Sequence, residues 1–112
     1  MERKTRDTEW SNLMRAAIVG NETDYRKLLE DLSRVMRKPV RRELGGQGAS
    51  GDDVEDVVKD ILLAIHLKRH TWESSMSLTS WVTAVARNKL IDNLRRQGRC
   101  PEVKLDLSDF QD

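Results

Sequence analysis

The chain has 112 residues, of which 38% are hydrophobic and 35% charged, and its net charge is +1. This describes one small domain with a modest core and a heavily charged surface, and it excludes a uniform polycation. One cysteine and two histidines exclude an internal disulfide and a Cys/His metal cluster.

No apolar run approaches the about 20 residues of a membrane span, and the opening MERKTRDTEW has no signal-peptide hydrophobic region. These features fit a cytoplasmic protein with no metal or other cofactor and no membrane insertion. The lone Cys100 is expected to be an incidental thiol near a loop.

After a charged start, Thr8 is a candidate cap for a helix over Glu9–Val19, with Trp10, Leu13, Met14 and Ala17 on one face. Gly20–Asn21 ends it. Thr23 is placed to cap a second helix, with Tyr25, Leu28, Leu29, Leu32, Val35 and Met36 at helical spacing. Pro39 should stop or kink that helix, because it lacks an N–H and crowds the preceding turn, and the helix can resume over Val40–Leu44. Arg37, Lys38, Arg41 and Arg42 form a basic cluster, either a solvated face or a secondary phosphate contact. The stretch GGQGASG (45–51) is a flexible linker. It is no phosphate loop, since no Lys-Ser/Thr pair follows at the required spacing.

Asp52 and Asp53 open a third helix that runs to about His70, acidic residues suiting a first turn. Val54, Val57, Val58, Ile61, Leu62, Ala64 and Ile65 make its core face. Turned away from that face are Asp56, Asp60, Leu63 and Leu67, flanked by Glu55, Lys59 and His66. Single exposed leucines are ordinary, so this face is either plain surface or a docking surface for a basic partner. His66 and His70 have i, i+4 spacing but no third ligand, and are expected to be solvated.

TWESSMSLT (71–79) is a short polar loop, followed by a helix over Ser80–Arg99. The first half of that helix, with Trp81, Val82, Ala84, Val85 and Ala86, is apolar nearly all round and should be buried. In the second half Leu90, Ile91 and Leu94 hold one face, and Asn88, Lys89, Asp92, Asn93, Arg95, Arg96 and Arg99 cover the other. Lys and Arg near a helix end suit its dipole. Amides among one-signed cations, however, are also what contact with phosphates and base edges requires. Gly98 is placed to stop the helix. The tail RCPEVKLDLSDFQD is either the start of a linker or a peptide lying along the surface. The expected fold is all-α, a compact bundle of four helices over residues 1–99, with residues 100–112 beginning an interdomain linker.

Two stretches, DVEDVVKDILLAIHLKRHTW and SWVTAVARNKLIDNLRRQGR, together resemble region 2 of bacterial extracytoplasmic-function (ECF) sigma factors. Members of that family commonly pair an acidic D-x-E-D opening with a tryptophan-led A-R-N…D-x-x-R-R helix at this separation. The resemblance implies docking on the coiled coil of the β′ subunit of core RNA polymerase through Asp53, Asp56, Lys59, Asp60, Leu63 and Leu67. It implies a loop, with Trp72, Ser74, Ser75, Met76 and Ser77, that captures a flipped base from the non-template strand of the promoter minus-ten element. It implies that Asn88 helps hold the strand and that Arg87, Lys89, Arg95 and Arg96 meet phosphates, with Asp92 and Arg99 alongside.

The loop departs from the family, which often carries Pro and Phe or Arg before the tryptophan, where this chain reads ESSMSLTSW. The family's C-terminal helix-turn-helix domain has no counterpart here, so the chain is expected to be a fragment cut within the linker. The resemblance further implies an anti-sigma partner covering the same faces. The rival reading is a helical protein-interaction module without DNA binding. Nothing in the chain has the paired-carboxylate, Ser/His/Asp or Cys/His arrangement of an enzyme.

Overall fold

The computed structural model describes residues 5–99 and 102–111. Four α-helices occur among them, and no strand: α1 (Arg6–Ile18), α2 (Glu22–Glu43), α3 (Gly51–Lys68) and α4 (Leu78–Arg96). Single 3-10 turns form at Gly46–Gly48, Arg69–Thr71 and Leu107–Phe110. Each helix packs on the next in the chain, and α4 returns to α1.

The caps explain the boundaries. Thr5, not Thr8, starts α1, its hydroxyl accepting the Thr8 N–H. Asn21, not Thr23, starts α2 by accepting the Asp24 N–H. Asn21 also closes α1: its N–H donates to the Ala16 carbonyl and that of Gly20 to Ala17, with Gly20 at φ 104°. This is a Schellman ending, which the missing Cβ of glycine permits. The same pair of bonds ends α4 at Gly98, where Gly98 donates to Arg95 and Arg99 to Leu94. Ser50 caps α3 through the N–H groups of Asp52 and Asp53. Within the expected linker 45–51, Gly45 and Gly46 take positive φ and lead into the 3-10 turn.

Helix α2 runs through Pro39 without the expected break. An interior proline costs about 3 kcal/mol. The stripe Leu28, Leu32, Met36, Val40, with Pro39 itself buried, offsets it, because each large apolar side chain removed from water contributes about 1.5–3 kcal/mol. The core joins this stripe to Trp10 and Met14 of α1, Val54, Ile61 and Ile65 of α3, and Leu78, Val82 and Leu90 of α4.

The expected boundary at residue 99 does not hold, because the tail belongs to the core. Leu105 and Phe110 are both 0% exposed. Arg42 grips the Asp109 carboxylate with two bonds of 2.7 and 3.0 Å, and the Glu43 carboxylate accepts the Lys104 N–H. Arg6 donates to the carbonyls of Phe110 and Gln111. The weak alternation of Val103, Leu105 and Leu107 concealed how deep these anchors go. Cys100 lies outside the described residues.

Candidate nucleic-acid interface

The outer face of α3 carries a continuous stripe. Asp53, Asp56 and Lys59 are exposed and Asp60 is half-buried, while Leu63 and Leu67 are 56% and 62% exposed. The positions 56, 60, 63 and 67 follow the helical repeat, so acid and leucine share one line down the helix. Both leucines leave more than half of their surface to solvent. On the flank, Arg37 holds Glu55 with two bonds. The basic cluster beside it is largely committed inside the protein, with Arg37 on Glu55, Arg41 on the Ala49 carbonyl, and Arg42 on Asp109 and Glu43. That weighs against its use on phosphate.

In α4, Leu90 and Leu94 are buried while Asn88, Asp92, Arg95 and Arg96 are exposed and Lys89 and Asn93 half-exposed; Arg99, expected on the helix, lies exposed just beyond its end. The first half is buried less completely than its composition suggests, since Ala84 is exposed. The cationic face and the α3 stripe are not separate surfaces. Asp60, Leu63, Ala64, Leu67 and Lys68 from α3 and Asn88, Lys89 and Asp92 from α4 line one groove of about 170 Å³. Arg96 of α4 stands 4.0 Å from Asp60 of α3.

The loop between α3 and α4 is a tight turn over a buried ring. Trp72 is 4% exposed, and its indole N–H donates to the Met76 carbonyl at 3.1 Å. Its expected place on the nucleic-acid surface is therefore corrected: it is the floor of the loop. Trp81 is also buried and donates to the Thr71 hydroxyl. The Met76 N–H closes the turn on the Glu73 carbonyl at 2.8 Å. Ser74, Ser75 and Met76 remain exposed. Ser77 is turned inward: its hydroxyl caps α4 by accepting the Ser80 N–H and donates to Asp7.

Two further placements differ from expectation. Arg87 is exposed, but it donates to the Leu105 carbonyl at 2.7 Å and so ties the tail to α4. His66 is not simply solvated, its Nδ1 lying 2.8 Å from the Tyr25 hydroxyl. Among the described residues no group of His, Cys, Asp and Glu could hold a metal, and no helix is long and apolar enough to cross a membrane.

Two residues of α1 with no signal in the sequence complete the site. Asp7 accepts the Ser77 hydroxyl, the Thr79 N–H and the Thr79 hydroxyl at 2.9–3.0 Å. Partial burial pushes its carboxyl up, but these bonds, with help from the Leu78 N–H, outweigh it and hold the pKa below the usual carboxylate value. Arg15 donates to the Ser74 carbonyl at 2.6 Å, and its guanidinium lies 5.7 Å from the centre of the Trp72 ring. Only folding brings these residues within reach of a loop some 60–70 positions away.

The family model described as sigma-70 region 2 matches residues 25–100. The ECF RNA polymerase sigma factor SigF of Caulobacter vibrioides is 45% identical over 91 residues, covering 81% of this chain and 49% of that protein. The ECF RNA polymerase sigma factor RpoE of Cereibacter sphaeroides is 30% identical over 103 residues, covering 91% of this chain and 55% of that protein. The chain thus spans about half the length of the curated relatives it matches. No solved structure matches it.

Proposed function

The chain belongs to the sigma-70 region 2 family, as an ECF sigma factor domain, and from that premise we propose that it docks on core RNA polymerase and holds the non-template strand of the promoter minus-ten element. Docking uses the α3 stripe, with Asp53, Asp56 and Asp60 toward basic groups of the partner, Lys59 among them to meet an acidic one, and Leu63 and Leu67 as apolar anchors, on the coiled coil of β′. Asn88, Lys89, Asp92, Arg95, Arg96 and Arg99 line the strand, and Ser74, Ser75 and Met76 form the lip that receives a flipped base. The role is non-enzymatic and cytoplasmic, and an anti-sigma protein covering the same faces would silence it.

The observation that carries this reading is the shared groove between α3 and α4. The groove sets the two open leucines of α3 beside Asn88 and Lys89 of α4, so the proposed docking and strand-holding residues adjoin one another. Extruding a base costs a few kcal/mol. Fixed loop donors and phosphate contacts supply the offset, the latter being strongly salt-dependent.

The test is retention of this chain on purified core RNA polymerase, with Leu63→Arg alongside. Retention that Leu63→Arg lowers at least about tenfold, a cost expected for an anchor residue, supports the reading. Equal retention of both chains removes the α3 stripe from the docking surface.

A further inference from the structure

Helix α1 lies outside the stretch that matches the family model, yet it holds the 73–77 loop from both ends. Asp7 grips the C-terminal side, where Ser77 and Thr79 begin α4. Arg15 grips the tip through the Ser74 carbonyl and lies against Trp72, the ring beneath the loop. Its second terminal nitrogen is engaged by Asn12 of its own helix at 3.0 Å. The loop's own bonds are few. Glu73 with Met76 and Trp72 with Met76 fix its curvature, while Ser74, Ser75 and Met76 stand open to solvent.

We propose that Asp7 and Arg15 are positioning residues that hold this loop in its strand-receiving shape before the strand arrives. The inference rests on the functional reading above and adds the part played by α1. A turn with four exposed residues and no brace samples many conformers, and a binding event must then order it. Bracing from α1 moves that ordering into folding. The exposed Ser74 and Ser75 hydroxyls and the Met76 side chain are thereby presented in one arrangement. Arg15 acts here through the Ser74 carbonyl rather than by touching the nucleic acid.

The experiment uses the full chain and the variants Asp7→Ala, Asp7→Asn and Arg15→Ala. The first readout is amide hydrogen exchange without DNA. Asp7→Ala is expected to speed exchange of the Thr79 amide, and Arg15→Ala that of Met76, each by about fivefold or more, as for loss of a cap. Asp7→Asn keeps an acceptor oxygen and should stay near wild type. Core amides such as those of Leu32 and Ile61 should not change. The second readout is affinity for a short fluorescent single-stranded DNA of randomised sequence, measured against salt. Asp7→Ala and Arg15→Ala should each weaken binding about fivefold, the same scale as the exchange effect, with the salt slope unaltered.

A slope for Arg15→Ala lowered by about 0.7, the mark of one lost phosphate contact on a single strand, would overturn the positioning role. So would loss of core protection in the variants, which would make Asp7 and Arg15 general stabilisers. Unchanged loop exchange and affinity in variants of a DNA-binding chain overturn the bracing alone. A wild-type chain that holds no strand overturns the functional reading along with it.

Discussion

Trp72 and Trp81 both lie in the core with their N–H groups already bonded. Trp10 and Phe110 are buried as well, and Tyr25 is half-buried against His66. Among the described residues no Trp or Phe ring is left as an open platform on which bases could stack, and the exposed imidazole of His70 is the ring nearest the loop that solvent reaches. On the proposed function, strand binding would lean chiefly on hydroxyls, amides and cations. Two hydrogen-bonded carboxylates, one bracing the loop and one anchoring the tail, leave a mark on stability. Asp109 is held below its ordinary value, chiefly by the two bonds from Arg42, and Asp7 lies below its own. A carboxyl whose folded pKa is depressed stabilises the fold above its unfolded value of about 3.9, and that stability is lost as pH falls through the folded pKa. These two groups should leave the urea midpoint level above about pH 5 and lower it below about pH 4. Asp7→Asn should remove part of that fall, and urea titrations across pH check it. At this scale the sequence revealed the open leucines, because one helical face suffices to find Leu63 and Leu67. It could not reveal that Trp72 is a floor or that Asp7 caps another helix, since both depend on contacts that only folding makes.

The helices themselves were legible wherever a glycine stop or an apolar stripe marked them, as at Gly20, Gly98 and Leu28–Leu32–Met36. Starts were harder, because two hydroxyl or amide side chains a few residues apart compete for the same cap. Thr5 won over Thr8 and Asn21 over Thr23. The tail was the element least visible in advance. Its two anchors, Leu105 and Phe110, sit among acidic and polar neighbours with no helical period, yet both are fully buried. Phe110→Ala should therefore destabilise the chain by about 3–5 kcal/mol, the range for emptying a buried aromatic site. Deleting residues 102–111 should cost at least as much. Urea unfolding followed by tryptophan fluorescence measures both. If the tail were only a linker, neither change would move the midpoint.

Across the whole molecule, near-neutral net charge hides a sharp separation of sign. Acid and leucine run along α3, amide and cation along α4, and the two meet in one groove. The cations of α2, by contrast, are mostly turned to internal partners. Binding of a single strand should weaken steeply with salt, and Arg95→Ala/Arg96→Ala should flatten the slope by about 0.7 for each phosphate contact removed. Titrations at several salt concentrations read this directly, and an unchanged slope would take both arginines off the strand.

The two bonds from Arg6 to the carbonyls of Phe110 and Gln111 bring the last described turn beside the first. The path through the bundle is thus nearly a closed ring. A rearranged gene in which a short polar spacer runs from Gln111 to Thr5, and which opens the chain within the surface turn at Gly46–Gly48, would preserve every helix pairing. Such a circular permutant is expected to reach the same fold, with the α3–α4 groove intact.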